Sequence, residues 1–285
     1  MIDLSSIGGS SMMKRKQLLF IVAILSVLLI GSALDRQPVV KNYKVTLESL
    51  KDKQLRIVQI SDLHSTNYGI GQTLLIEMVI DEAPDLIVMT GDIFDDIVPN
   101  DSTVTLLDGI KRVAPIIYVT GNHEIWSDDL STKLELLTSR GVHVLHDTDK
   151  VIVIGETLVR VVGFDDPYAK GYLFDGDKSK LSFESKDTPV DLTILLSHRA
   201  ELVDVYKSFD ADLSLSGHSH GGQVRIPFLI NGLLSPNQGW FPEYAGGVYK
   251  VGELSHIVSR GLSINERLPR IFNPPELVVV DVSGH

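Results

Sequence analysis

The sequence of 285 residues predicts an α/β fold with largely parallel strands, and two observations lead to this class. Continuous apolar, β-branched runs recur along the chain, and most lack polar alternation, as expected of strands buried on both faces. Segments of helical length and period separate several of these runs. Alternation of strands with helices is typical of α/β domains.

The apolar runs predict six main strands, at residues 55–61, 85–90, 115–120, 158–164, 191–197 and 212–216. Shorter strands are predicted at residues 223–226, 247–251 and 277–282, and they suggest a second sheet packed against the first. Helices are predicted at residues 72–82, 102–111, 128–140 and 200–209. No internal repeat or low-complexity segment interrupts this pattern.

The N-terminal segment is predicted to be a single-pass membrane anchor. A basic cluster, Lys14 to Lys16, precedes the uncharged apolar residues 18–34. This run is at the short end of the roughly 17–25 residues that span a bilayer as a helix, and the basic cluster predicts a cytoplasmic N-terminus. A cleaved signal peptide and a buried core helix are the alternatives. We expect a cytoplasmic tail, anchor and linker in residues 1–43, and one extracytoplasmic domain at the cell membrane in residues 44–285.

The composition excludes several classes of site. The chain has no cysteine, so it has neither disulfides nor thiolate ligands, and a bound metal must rest on nitrogen and oxygen atoms. A net charge of −11 and the absence of a basic stripe argue against a nucleic-acid partner. The sequence does not indicate an oligomeric state.

Side chains that can bind metal follow five of the predicted strands. In chain order they are Asp62, His64, Asp92, Asp95, Asn122, His123, Glu124, His198, His218 and His220. Because the carboxyl ends of parallel strands share one edge of a sheet, we expect these residues to converge there. Aspartate, asparagine and histidine without thiolate suit manganese, iron(II), zinc or magnesium. A carboxylate such as Asp92 can bridge two ions about 3.5–4 Å apart.

A serine hydrolase site is an alternative interpretation of the last of these motifs. Gly217, Ser219 and Gly221 match the G-x-S-x-G pattern of a nucleophile elbow. That elbow requires a helix directly after the serine, whereas the following GGQVRIPF contains two glycines and a proline and favours strand or loop. We therefore interpret Ser219 as a spacer between two metal ligands.

Taken in order, Asp-x-His, Gly-Asp-x-x-Asp, Gly-Asn-His-Glu, a single histidine and Gly-His-x-His resemble the calcineurin-like metallophosphoesterase superfamily. The resemblance covers about residues 55–224, and the later SRGLSINERLPRIFNPPELVVVDV resembles its membrane-anchored bacterial branch. It implies an αββα sandwich of two mixed sheets flanked by helices. It also implies two divalent metal ions, with manganese expected and iron, zinc or magnesium also compatible.

The same resemblance implies a role for each matching residue. The ligands of one ion would be Asp62, His64, Asp92 and His220. The ligands of the other would be Asp92, Asn122, His198 and His218, with Asp92 as the bridge. A hydroxide bridging the ions would attack phosphorus in line, and His123 would stabilise the transition state or protonate the leaving oxygen. Asp95 is expected to orient its loop, and Glu124 to cap or pair with a neighbour.

The function implied is that of a two-metal phosphodiesterase or phosphatase, and the predicted anchor favours an envelope or lipid-linked substrate. A UDP-2,3-diacylglucosamine pyrophosphatase-type lipid-precursor hydrolase is an alternative, although its active site would face the cytoplasm, against the predicted topology. A second alternative is a catalytically silent, membrane-tethered binding protein. The absence of a metal ligand or of His123 would favour it, but the sequence contains all seven predicted ligands and His123. Residues 231–249, rich in aromatics and prolines, could shape a substrate pocket.

Overall fold

The computed structural model describes residues 5–167, 188–264 and 268–284, with side chains from residue 17 onwards. The strands are β1 (Val39–Thr46), β2 (Gln54–Ile60), β3 (Leu86–Thr90), β4 (Ile116–Val119), β5 (His143–Val144), β6 (Thr148–Ile154), β7 (Thr157–Gly163), β8 (Leu192–Arg199), β9 (Leu213–Gly217), β10 (Leu234–Ser235), β11 (Gly239–Trp240), β12 (Gly247–Val251), β13 (Leu254–Val258) and β14 (Glu276–Ser283). The helices are α1 (Ser5–Ala33), α2 (Thr73–Asp81), α3 (Asp101–Ile110), α4 (Asn122–Trp126), α5 (Leu130–Thr138) and α6 (Val203–Tyr206).

Two six-stranded sheets form the centre of the protein. The first has the order β1-β14-β2-β3-β4-β5 and the second the order β12-β13-β9-β8-β7-β6. Strands β2 to β5 are parallel to one another, and so are β7, β8, β9 and β13. Each sheet also contains antiparallel pairing, at β14 with β2, β6 with β7 and β12 with β13. The predicted α/β class with two mixed sheets is confirmed.

Apolar side chains fill three layers around these sheets. Between the sheets, Val88 of the first packs in the same buried cluster as Ile194 and Leu215 of the second. Residues of α2, α3 and α5, such as Leu75, cover the outer face of the first sheet. On the outer face of the second sheet, Tyr206 of α6 joins a smaller cluster. Each sheet is therefore buried on both faces, which explains the continuous apolar runs in the sequence.

Two predicted elements differ in the structure. The segment 223–226 is not a strand of either sheet, because Gln223 has a left-handed backbone (φ 59°) and only isolated bridges follow it. The strand predicted at residues 277–282 forms β14, which lies in the first sheet between β1 and β2. Its alternate residues explain this position: Val278 and Val280 face the other sheet, whereas Val279 faces the helices.

The N-terminal segment forms helix α1, whose large apolar side chains from Leu18 to Ile30 are exposed. Its last turn contacts the domain where the Phe272 backbone N–H donates to the Ala33 carbonyl at 2.8 Å. Over the residues described, none of the helices combines the length and apolar character that a membrane crossing requires. The predicted transmembrane anchor at residues 18–34 is therefore not confirmed. Strand β1 begins at Val39, within the segment predicted as a linker.

The layer between the sheets should carry much of the stability. Truncating the fully buried Leu215 to alanine leaves a cavity in that layer, so we expect Leu215→Ala to lower the free energy of unfolding by about 2–5 kcal/mol. Urea denaturation measures this loss. The control Val153→Ala removes an exposed side chain and should change stability by less than about 0.5 kcal/mol. Equal effects of the two substitutions would contradict the assigned core.

Candidate metal centre

The predicted site residues lie where the carboxyl ends of strands from both sheets meet. The sequence argument placed them along one sheet edge, but β2, β3 and β4 belong to the first sheet, and β8 and β9 to the second. Hydrogen bonds connect the two edges: the Gln59 amide donates to the Ser216 carbonyl at 2.9 Å, and His198 Nδ1 donates to the Thr90 carbonyl at 2.8 Å. The site therefore depends on the packing of one sheet against the other.

One group of possible ligands consists of Asp62, His64 and His220, all buried, with ligand atoms within 4.8 Å of one another. The Asp62 Oδ1 atom is 3.6 Å from His220 Nε2 and accepts a 2.9 Å hydrogen bond from the His218 backbone N–H. Its Oδ2 atom accepts a hydrogen bond from the Ser61 hydroxyl at 2.6 Å. These contacts fix the carboxylate between β2 and the loop after β9.

The second group consists of Asp92, His198 and His218, which are also buried. The Asp92 Oδ2 atom is 3.1 Å from His198 Nε2 and 3.6 Å from His64 Nε2, which belongs to the first group. Its Oδ1 atom accepts a hydrogen bond from the His123 backbone N–H at 2.9 Å. One carboxylate oxygen therefore faces both groups, as a bridging ligand must.

Asn122 completes the set of seven predicted ligands. It is the first residue of α4 and lies with Asp92 and His218 in the lining of a cleft of about 240 Å³. Its Oδ1 atom is buried and accepts no hydrogen bond from the residues that the structure describes. An unsatisfied buried oxygen is costly, and a cation would satisfy it. The residues present, with nitrogen and oxygen donors only, thus fit divalent metal ions.

The backbone at the site is strained. Asp62, His64, Asp92, His218 and His220 all have left-handed backbones, with φ between 46° and 67°. Non-glycine residues rarely adopt this conformation, and such strain concentrates at functional sites. Backbone hydrogen bonds maintain it: the Asp62 N–H donates to the Gly91 carbonyl at 3.1 Å, and the His64 N–H donates to the Asp92 carbonyl at 2.9 Å.

Glu124 holds together the loops that present Asp92 and Asn122. Its buried carboxylate accepts hydrogen bonds from the backbone N–H groups of Asp92 (2.9 Å), Phe94 (2.9 Å) and Gly121 (2.8 Å). Burial and the nearby Asp92 charge raise the Glu124 pKa. The expectation that Glu124 caps or pairs with a neighbour is met by these three contacts, which fix the turn after β3 against the start of α4.

Comparison with known protein families agrees with this geometry. The sequence model of the family described as calcineurin-like phosphoesterase matches residues 55–222, more than half of the chain. The chain belongs to the calcineurin-like phosphoesterase family. It is accordingly a metal-dependent phosphoester hydrolase, and the predicted resemblance to the superfamily is confirmed. The comparison does not confirm the membrane-anchored branch.

Two relatives illustrate the range of the family. This phosphoesterase is 30% identical over 279 residues to an uncharacterized metallophosphoesterase of Campylobacter jejuni, an alignment that covers 92% of this chain and 68% of the relative. It is 28% identical over 265 residues to a protein of Danio rerio described as a transmembrane protein with metallophosphoesterase domain. That alignment covers 87% of this chain and 57% of the relative.

Among solved structures, the NAD nucleotidase of Haemophilus influenzae resembles the phosphoesterase with a TM-score of 0.51. The two are 14% identical, and the match covers 75% of this chain and 46% of the nucleotidase. At this identity the likeness shows a shared fold and says nothing of a shared substrate.

His123 lies at the edge of the metal centre of the phosphoesterase, with about a quarter of its side chain exposed. Its Nδ1 atom is 2.7 Å from Asp96 Oδ1, a partner that the sequence analysis missed although it directly follows Asp95. Asp95 accepts hydrogen bonds from the backbone N–H groups of Ile97 and Val98 and lies 3.2 Å from His64 Nδ1. It therefore orients both its loop and His64, as expected.

A buried polar network behind His218 was also missed. The Arg199 guanidinium pairs with Asp166 at 2.8 Å and donates from Nη1 to Asn237 Oδ1 at 2.8 Å. The same Asn237 oxygen is 2.9 Å from His218 Nε2, so this network holds the imidazole with Nδ1 towards His198, 3.1 Å away. Arg199 directly follows a predicted ligand, which was the available signal, whereas no motif marked Asp166.

Ser219 is not a nucleophile elbow. Its buried hydroxyl donates to the Ala245 carbonyl at 2.8 Å, and the chain continues as a short 3₁₀ turn at His220–Gly222 rather than a helix. The serine hydrolase alternative lacks the strand-turn-helix setting that it requires. The interpretation of Ser219 as a spacer between His218 and His220 agrees with these contacts.

The charges at the second group favour a cation there. Burial alone would lower the pKa of the His198 imidazole, but the adjacent Asp92 carboxylate outweighs burial and raises this pKa to about 10. Burial likewise opposes ionisation of Asp92, yet the His198 charge lowers the Asp92 pKa well below its usual value. The pKa of His218 is lowered by burial and by the charges of His198 and Arg199, so His218 is neutral. The raised pKa places a proton on His198 Nε2, next to the Asp92 carboxylate.

Metal binding should therefore release a proton from His198. A cation at Nε2 must displace this proton, so Mn²⁺ affinity should rise with pH below the pKa of about 10, by about tenfold per pH unit for each proton displaced. Calorimetry between about pH 6 and pH 8, in buffers of different ionisation enthalpy, counts the released protons. The control His143→Gln removes an exposed histidine, and this variant should release the same number of protons on metal binding as the parent chain. Binding without proton release would contradict the charge assignment.

Proposed function

We propose that this chain is a two-metal phosphoesterase that hydrolyses phosphomonoesters or phosphodiesters. The observation that carries the proposal is the Asp92 carboxylate, one oxygen of which faces both His198 and His64. Asp62, His64, Asp92 and His220 would hold one ion, and Asp92, Asn122, His198 and His218 the other. Two bound divalent ions, with manganese the expected metal, supply a Lewis acid for a phosphoryl oxygen and activate a water.

His123 supplies the proton for the leaving oxygen in this proposal. Asp96, 2.7 Å from His123 Nδ1, holds the ring by accepting its Nδ1 proton, which leaves Nε2 as the nitrogen for proton transfer. The imidazole lines the same cleft as Asp92 and Asn122. It is partly exposed, so an incoming ester can reach it. A general acid at this position protonates the leaving oxygen as the phosphorus–oxygen bond breaks, so that the product leaves as an alcohol.

An envelope or lipid-linked substrate at the cell membrane, with the domain extracytoplasmic, is the proposed setting. The apolar sequence of residues 18–34, the exposed apolar side chains of α1 and the description of the Danio rerio relative as a transmembrane protein support it. A lipid-precursor pyrophosphatase would need the opposite orientation. A silent binding protein would have no need of a complete ligand set together with His123.

Two substitutions should separate metal binding from proton transfer. We expect the parent chain to hold about two metal ions and to hydrolyse p-nitrophenyl phosphate or its bis ester with Mn²⁺, Zn²⁺ or Mg²⁺ added. Asp92→Asn should lose both metal and turnover, whereas His123→Ala should keep the metal and lose about 10²- to 10⁴-fold in turnover. Elemental analysis and the two assays measure these effects.

The exposed His143 provides the matched control, since His143→Ala should change neither metal content nor turnover. Full activity in His123→Ala would remove the proposed acid. A folded parent chain without metal or turnover would contradict the two-metal enzyme and favour the binding protein.

The membrane setting has its own test. We expect the full chain to sediment with membranes and to resist carbonate extraction, and a periplasm-active reporter fused to its C-terminus to be active. The matched comparison is the same fusion lacking residues 18–34. Recovery of the full chain in the soluble fraction would contradict membrane attachment. Activity of a cytoplasmic reporter alone would reverse the topology and favour the lipid-precursor hydrolase.

A further inference from the structure

A second cavity, of about 700 Å³, opens directly beside the metal centre. It shares His123, Trp126, Gln223 and Pro236 with the cleft of about 240 Å³ that contains Asp92. The two cavities are therefore parts of one continuous cleft, and His123 lies where they join. A substrate whose phosphoryl group reaches the metal centre can extend past His123 into this larger cavity.

Apolar residues from four separate segments line much of the larger cavity. Its apolar members are Ile97, Val98, Trp126, Leu234, Pro236 and Leu268. Three of them remain open to solvent, with exposures of 86% for Ile97, 55% for Trp126 and 46% for Leu268. Covering such side chains with an apolar group is favourable by roughly 25 cal/mol per Å² buried. Several exposed apolar side chains around one cavity indicate a binding surface.

Two carboxylates stand on this wall, and each is paired with an imidazole of the same wall: Asp95 with His64, and Asp96 with His123. The Asp95 and Asp96 carboxylates line the cavity, and no lysine or arginine lines it within the described part of the chain. A leaving group that carried a carboxylate or a further phosphate would be repelled by these two carboxylates, because the imidazoles that face them are already paired with them. The wall therefore favours a group without negative charge.

We propose that the larger cavity binds the leaving group of the substrate, and that this group is apolar and carries no negative charge. The proposal rests on the proposed phosphoesterase function and specifies its substrate class. The oxygen of water forms the new bond to phosphorus and gives up a proton, the bond from phosphorus to the leaving oxygen breaks, and that oxygen takes a proton from His123, which regains one from solvent. Because His123 stands at the junction of the cavities, the phosphoryl group lies on the metal side and the alcohol on the apolar side.

The test compares two esters that differ only in the remote end of the leaving group. They are 4-propylphenyl phosphate and 4-(2-carboxyethyl)phenyl phosphate, whose phenols have similar acidity, so chemistry at phosphorus is matched. With the full chain and Mn²⁺, we expect kcat/KM to favour the propyl ester by about tenfold or more, because its terminal methyl group is buried favourably, whereas the carboxylate of the other ester must lose its hydration.

Single substitutions locate the preference. Ile97→Ser and Leu268→Ser should each lower kcat/KM for the propyl ester several-fold and leave that for the carboxyethyl ester nearly unchanged. The matched control is Val153→Ser, on β6 and 69% exposed, which should keep the parent ratio. Any partitioning of the propyl ester into detergent is the same for all variants, so differences between them report the cavity.

The outcomes separate the inference from the function on which it rests. Turnover of both esters with equal kcat/KM would overturn the inference and leave the phosphoesterase intact. A parent-like ratio in Ile97→Ser and Leu268→Ser would overturn the assignment of this cavity. Turnover of neither ester, nor of p-nitrophenyl phosphate, would overturn the proposed function and this inference with it.

Discussion

The carboxylate of Asp92 lies buried between histidines that come from different sheets, His198 from the second and His64 from the first. Removing one partner from such a buried charged group is strongly destabilising, because the remaining charge is left without compensation. Glu124 fixes the backbone of the turn that carries Asp92, and the backbone N–H of His123 donates to the other carboxylate oxygen of Asp92. The arrangement of the two sheets and the geometry of the site therefore depend on the same few contacts.

Much of the fold could be predicted from local pattern, because strands buried on both faces produce continuous apolar runs. Residues 55–61 and 191–197 correspond closely to β2 and β8. Sheet membership could not be predicted in this way. The position of β14 between β1 and β2 depends on long-range packing of its alternate valines, and a run of apolar residues looks the same in either sheet. The transmembrane anchor remains a prediction from composition.

The site shows the same division. Ligand types at strand ends were readable, since Asp62 directly follows an apolar run, and Asn122 and His218 each follow one after a single glycine. The residues that support the ligands could not be predicted, because their contacts with the ligands form only when the chain folds. Arg199 and Asn237 are distant in sequence, yet together they hold the ring of His218, and Asp96 contacts His123 across the cleft. A charged or polar side chain without a motif is ordinarily read as solvated surface, so such partners emerge only from packing.

The left-handed backbones of five ligand residues have a consequence for the evolution of such a chain. Each non-glycine residue in this region costs roughly 1 kcal/mol or more, and the total is comparable to a large part of the 5–15 kcal/mol net stability of a typical domain. Glycine at these positions would relieve the cost and abolish the ligand. Losing a ligand therefore gains stability only where its side chain does not also hold the two sheets together, and the strained turns reflect a compromise between backbone stability and catalysis.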